Sequence, residues 1–327
     1  MNPAPAAYSA ARVTVDGVET IRLADSGRHI EIAIAPAIGN MAYEMTIRGR
    51  NVLWFPYVSP AEFEKHPALC GVPFLGPWAN RIDRDGYRAN GREYLLNAEL
   101  GNLRRDGNGK AIHGLLNFSP LWEVVETSAD ETSAHVASRL EFWRYPALMA
   151  QFPFAHTVTM THRLAGGALE VETAIENLSK EPLPVAVGYH PYFRLHDAPR
   201  DDWRVHIAAK ERMILNEQLI PTGETVANPF GDPHSLRAGP LDDVFTDLVR
   251  DGDGRARFWV EGAGERVTVT YGPKYPVAVV YAPAGKDFIC FEPMSAPTNA
   301  FNLGMQQSVA PGEVWRESYW IESEPRQ

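Results

Sequence analysis

Cysteine is scarce in this sequence: Cys70 and Cys290 are the two thiols among 327 residues. Two cysteines make no disulfide framework, and their spacing is not that of a zinc site. The simplest reading is a reduced, cytoplasmic chain with two buried thiols. Long apolar runs are missing as well: no window approaches the ~18 consecutive apolar residues of a membrane span. The first residues, MNPAPAAYSAARVTVDG, lack the basic start and apolar run of a secretory signal. Basic blocks are absent too, and a formal net charge of −10 repels phosphate backbones. Membranes and nucleic acids are therefore not expected partners. Phosphate loops of the GxGxxG or GxxxxGKS/T type do not occur, nor do HExxH, clustered Cys/His or a GxSxG elbow. Neither a cofactor nor a metal is expected.

What the sequence does have is period-2 alternation. HIEIAIAP puts Ile30, Ile32 and Ile34 on one face. LEVETAIEN does so with Leu169, Val171, Thr173 and Ile175, and HTVTMTHRL with Val158, Met160 and Leu164. Half-buried strands of this kind belong to antiparallel sheets with one wet face. Gly and Pro, 26 of each, punctuate the runs. AGG at 165–167, DGDG at 251–254 and EGAGE at 261–265 read as hairpin turns. One short helix is expected at SPAEFEKH, with Ser59 as cap, Pro60 at the first helical position and Glu62 completing a capping box. Long helices do not alternate with the strands, so a parallel α/β sheet is not expected. Composition is ordinary for a globular chain, at 45% hydrophobic and 22% charged. With no internal repeat or linker, the expectation is one large all-β antiparallel sandwich over residues 1–327, with few short helices.

Candidate chemistry sits where polar residues fall at strand ends beside Gly, Pro or aromatic residues. These are Asn80 and Arg81 in GPWANRID, His113 in AIHG, His190 in VGYHPYFRL, Asp242 in LDDVF and Glu292 in FICFEPM. Each has a plain alternative. Arg81 can pair with Asp83 or Asp85 on the surface, and His113 can be a turn residue before Gly114. Asp242 and Asp243 can be a solvated turn after Pro240. His190 precedes a proline, which pushes it into extended geometry, and it is either a packed strand-end histidine or a proton donor. His162 alternates with apolar residues and reads as a satisfied core histidine. Glu292 is harder to set aside. Period 2 puts it on one face with Cys290, and a lone carboxylate on an apolar face is costly to ionise without a partner.

Taken in chain order, five stretches resemble the aldose 1-epimerase (galactose mutarotase) family. They are the Asn-Arg-Ile of GPWANRID, the His-Gly of AIHG followed by PLWEV, the HPYFRL run, the Asp-x-x-Phe of LDDVF, and FEPMSAPTNAFN. They span about residues 70–302, and the last is the most specific. The resemblance implies the galactose mutarotase-like supersandwich, with a monosaccharide cleft on a concave face. It implies cofactor-free exchange of the α and β anomers of a free aldose, by a monomer or homodimer. By that match Glu292 is the base and His190 the acid, set on opposite sides of the hemiacetal, while Asn80, Arg81, His113 and Asp242 contact the sugar. Asp242 is the candidate to hold His190 protonated, and Arg81 to keep Glu292 ionised. Trp78, Tyr189, Tyr192 and Phe193 are candidates for an aromatic wall. The sequence departs from the family where members often carry an arginine after His-Gly: Leu116 and Asn117 stand here. The segments WRYPALMAQFPF and FEKHPALCGVPFLG look like rim loops. Three alternatives keep the fold or the site: a phosphorylated or otherwise modified sugar, a non-catalytic sugar-binding protein, and a glycoside hydrolase using Glu292 and Asp242.

Overall fold

The structure is a computed structural model and describes residues 7–325. The alternating segments form three main antiparallel sheets of five, nine and eight strands. The first is a meander built from Tyr8–Val15, Val18–Asp25, Ile30–Ala35, Met41–Ile47 and Arg50–Asn51. Third and fourth across the nine-stranded sheet are His156–Ala165 and Ala168–Asn177, paired so that Val158 faces Ile175 and Leu164 faces Leu169. Gly166 and Gly167, with φ of +62° and +95°, close that hairpin in two residues. Along Ala168–Asn177, Leu169, Val171, Thr173 and Ile175 are buried, as the alternation predicts.

The eight-stranded sheet carries Leu241–Leu248, Val277–Ala282 and Ile289–Met294 side by side, with Gly188–Tyr189 and Tyr192–Phe193 along the last. One of its faces packs on the nine-stranded sheet. There Phe291 lies 6.1 Å from Phe258, and Tyr189 lies 4.7 Å from Tyr319 between ring centroids. These residues belong to an apolar core running from Tyr8 to Ile321, which is the all-β sandwich expected. Because strand side chains alternate, Ile289 and Phe291 enter that core, while Cys290 and Glu292 point to the opposite face, on the same side as each other.

Local expectations fare unevenly. The short helix is Pro60–Lys65, with Ser59 at its N-cap. Ser59 makes no side-chain cap bond, and Glu62 accepts instead from Val58 N–H at 2.7 Å. DGDG is not a hairpin. It leads from Leu241–Leu248 in one sheet to Ala256–Glu261 in the other, because the same turn chemistry serves a crossover. His162 is core but not satisfied: neither ring nitrogen has a partner among the described residues. Half of the FEKHPALCGVPFLG segment is no rim loop either. Phe74 and Leu75 form a buried strand beside Gly188–Tyr189. Among the described residues no helix is long and apolar enough to cross a membrane.

Candidate active site

His190 lies between two short strands that pair with the same neighbour. Gly188 sits opposite Met294, and Tyr192 opposite Cys290. That register puts His190 across from Glu292. Pro191 has no N–H and interrupts the ladder there, and His190 N–H turns to Pro73 O at 3.1 Å instead. Opposed residues of an antiparallel pair have Cβ atoms roughly 5 Å apart, so the two side chains meet: His190 Nε2 is 3.2 Å from Glu292 Oε1. They are 6% and 2% exposed. Both keep a second buried polar atom, His190 Nδ1 and Glu292 Oε2, with no protein partner among the described residues. Buried polar atoms are normally satisfied, so these two are available to a ligand.

A row of paired residues extends the site across the sheet. Asp242 faces Tyr281, Tyr281 faces Cys290, and Cys290 faces Tyr192. Asp242 is thus a strand residue on the Glu292 face, not a turn residue. Tyr192 stacks on His190 at 4.5 Å and 6°, with its hydroxyl 3.4 Å from Nε2. Tyr281 and His113 meet the His190 ring edge-on at 6.0 and 5.5 Å. Of the four aromatic wall candidates, only Tyr192 takes that position, since Trp78, Tyr189 and Phe193 are core. Tyr281 was missed, although it is the one amphipathic ring in the apolar run VAVVYA.

Asn80, Arg81 and His113 come from a third place. Arg81–Ile82 pairs with Ala111–Ile112, and both flanking residues take left-handed backbone, with φ of +56° at Asn80 and +64° at His113. His113 N–H donates to Asn80 O at 2.8 Å. Arg81 is held by Asp106, not by Asp83 or Asp85: its Nε donates to Asp106 Oδ2 at 2.6 Å, and Nη1 donates to Asn80 Oδ1 at 3.0 Å. The TNAFN motif braces the same arginine from behind. Asn299 N–H donates to Arg81 O, and Asn299 Oδ1 accepts from Asp83 N–H and Asn302 Nδ2.

Gly114 follows His113 with φ +69°, and a Cβ there would stand 2.1 Å from Gly76 O. That oxygen also accepts from Leu115 and Leu116 N–H. Gly114→Ala is therefore expected to cost about 1–3 kcal/mol in stability, through backbone that cannot step aside. Urea denaturation checks this; an unchanged midpoint would show that the turn can relax.

Electrostatics differ from the sequence expectation. Burial pushes the Glu292 carboxyl well above its ordinary range; Asp242 adds to this, and Arg81 opposes it. Burial likewise pulls His190 down, helped by Arg104, and pulls His113 down, helped by His190 and Arg104. Asp242, though partly open to solvent, is itself pushed up by desolvation among its neighbours and by Asp243, against Arg81. Hence the carboxylate beside His190 is Glu292, not Asp242, and burial favours the uncharged form of both partners. Among the described residues no group of three or more His, Cys, Asp or Glu is gathered as metal ligands would be. A groove of about 670 Å³ lies elsewhere, along Arg28, Arg48, Arg50, Asp197 and Glu265, and none of the six candidate residues lines it. Its Arg50 and Glu265 pair with each other at 2.7 Å, while the orphaned polar atoms of His190 and Glu292 lie outside it.

The chain matches the aldose 1-epimerase family model over residues 43–322. It is 26% identical over 293 residues to the uncharacterized protein YihR of Escherichia coli (strain K12), covering 88% of this chain and 87% of that protein. A galactose mutarotase-like protein from Clostridium acetobutylicum shares its fold with a TM-score of 0.86 at 23% identity, over 98% of this chain and 99% of that one. Galactose 1-epimerase from Lactobacillus acidophilus NCFM gives 0.76 at 17%, over 98% and 100%. At these identities the two solved structures speak to the fold, which is that of galactose mutarotases. The family match covers most of the sequence and all six candidate residues, and the chain belongs to the aldose 1-epimerase family.

Proposed function

We propose that this protein interconverts the α and β anomers of a free aldose, such as galactose or glucose, without a cofactor. The observation that carries this reading is the buried contact of His190 and Glu292 at 3.2 Å from facing strand positions. Exchange must move one proton off the C1 hydroxyl and one onto the ring oxygen. Both oxygens are bonded to C1, so acid and base belong side by side rather than on opposite sides of the sugar. Hydrolysis would need Glu292 and Asp242 as a carboxylate pair roughly 5–9.5 Å apart across the bond, whereas the group in contact with Glu292 is His190.

The protons balance on the pair. Glu292 as carboxylate takes the C1 hydroxyl proton while protonated His190 donates to the ring oxygen. The C1–O5 bond breaks, its electron pair goes to oxygen, and the aldehyde forms. A neutral acid and a neutral imidazole remain. Rotation about C1–C2 and the reverse proton flow close the ring on the other face. One proton resides on the pair in each resting state, and burial favours the neutral arrangement that accompanies the open sugar. The site thereby lowers the intermediate relative to the closed ring. Arg81, Asn80, His113 and Asp242 serve as sugar contacts in this scheme, with Tyr192 and Tyr281 beside the C–H faces.

Polarimetry on freshly dissolved α-D-galactose and α-D-glucose tests it. Decay to the same final rotation is expected to accelerate; no acceleration with either sugar rejects the reading for free aldoses. The pH profile is a second expected result. Adding a second proton requires the depressed His190 to charge, which moves the acid limb below the ordinary 6.5. Removing the last proton requires the raised Glu292 to ionise, which moves the alkaline limb up from 4.5. The kcat should be flat through neutral pH, and a limb at an unshifted histidine value would contradict a shared-proton pair.

A further inference from the structure

The Arg81 guanidinium is aimed by its neighbours. Its Nε donates to Asp106 Oδ2 at 2.6 Å and its Nη1 to Asn80 Oδ1 at 3.0 Å. Nη2 has no partner among the described residues. A guanidinium is a rigid planar fork, so holding two of its nitrogens fixes where the third points. Asp106 is itself held. It lies in the turn RRDGNGK, where its N–H donates to Lys110 O and its O accepts from Gly109 N–H, both at 3.0 Å. Its Oδ1 accepts from the N–H groups of Asn108 and Lys110, both at 2.9 Å. The strand that leaves this turn, Ala111–Ile112, pairs with Arg81–Ile82, so turn and arginine form one unit. The Arg81 and Asp106 side chains are 17% and 8% exposed, which spares the pair most of the screening that weakens surface bridges. Desolvation resists the Asp106 charge, yet Arg81 and the two backbone N–H groups hold its carboxyl below the ordinary carboxylate range.

Arg81 is also the cation that acts on Glu292. The other groups facing Glu292 are His190 in contact, and Asp242, Cys290, Tyr192, Tyr281 and Tyr271, whose ionised forms would repel it. An arginine without a counter-ion here would draw the proton off the buried carboxyl. A carboxylate bonded to the guanidinium offsets that pull. We propose that Asp106 is a positioning residue: it clamps Arg81 so that Nη2 meets a sugar hydroxyl, and it offsets the Arg81 charge so that the His190–Glu292 pair keeps its shared proton. The clamp on the sugar rests on the anomer-exchange reading, and the charge role stands without it.

Asp106→Asn separates the clamp from the turn. The two backbone N–H groups need an acceptor, so the amide oxygen stays on them and the amide NH2 faces Arg81 Nε, donor against donor. With galactose or glucose, KM is expected to rise about tenfold, the lower end for a lost charge-assisted bond. Both limbs of the kcat profile should move to lower pH, because a cation without its counter-ion opposes every proton the pair takes up. Asp85→Asn is the control. It removes the same charge from the partner of Arg105, 2.7 Å away and next to Asp106 in sequence, and should move neither KM nor the limbs. An unchanged KM, limbs that stay in place, or an equal shift in Asp85→Asn overturns the proposal. If no sugar is turned over, the anomer-exchange reading fails and melting curves decide this inference. The gain in melting temperature that Glu292→Gln brings at pH 8 should be smaller on an Asp106→Asn background than on the wild type. An equal gain on the two backgrounds rejects the role of Asp106.

Discussion

Glu292→Gln is expected to remove anomer exchange, by about 10²–10⁴-fold as for a lost general base, and to make the protein more heat-stable above neutral pH. Both effects come from one feature, a carboxyl 2% exposed whose ionisation burial opposes. A folded-state pKa raised above the unfolded 4.5 means that the protonated carboxyl contributes stability fully below 4.5. That contribution is lost as pH rises through the raised folded value. Glutamine keeps the shape and cannot ionise, so its melting temperature should match the wild type near pH 4 and exceed it at pH 8. It also keeps a polar oxygen where Glu292 Oε1 meets His190, so the pocket should stay formed. Polarimetry and melting curves at the two pH values check the pair of outcomes. Retained activity would remove Glu292 from the mechanism. A stability gap that does not vary with pH would mean that the carboxyl is not held protonated by its surroundings.

The architecture was legible in the sequence because its strands obey period 2 on their own. Glu292 and Cys290 were assigned to one face without knowing any neighbour, and that is where they lie. The partner of Glu292 was not legible, since Gly188 opposite Met294 and Tyr192 opposite Cys290 are long-range registers. Local spacing suggested Asp83 or Asp85 for Arg81. The partner is Asp106, two strands over. The aromatic wall is a case where the signal was present and unused. In GYHPYF, alternation separates Tyr189 and Phe193 from His190 and Tyr192, and the structure separates them the same way. Asn299 drew attention as part of a motif, yet what it does structurally is hold the Arg81 backbone.

His190→Asn is expected to slow exchange at least ~100-fold and, more tellingly, to change the shape of the pH profile. On the proposed mechanism the wild-type active form holds one proton shared between imidazole and carboxyl, so activity should fail only when a second proton is added or the last one leaves. Asparagine keeps polarity at the position but takes no proton. Glu292 then titrates alone, and the residual rate should climb with pH through its raised pKa and level off, with no acid limb from the histidine. His162 supplies the comparison. It too is buried, with burial pulling it down to about 3, but it lies in the core strand His156–Ala165 with no carboxylate in contact. His162→Asn should therefore change the melting temperature and leave the pH profile of exchange as it was. If His190→Asn behaved like His162→Asn, burial alone would account for both residues, and the imidazole opposite Glu292 would be packing. If the two diverge as described, the difference between a core histidine and a proton donor lies in the residue across the ladder. For His190 that residue is Glu292, at 3.2 Å.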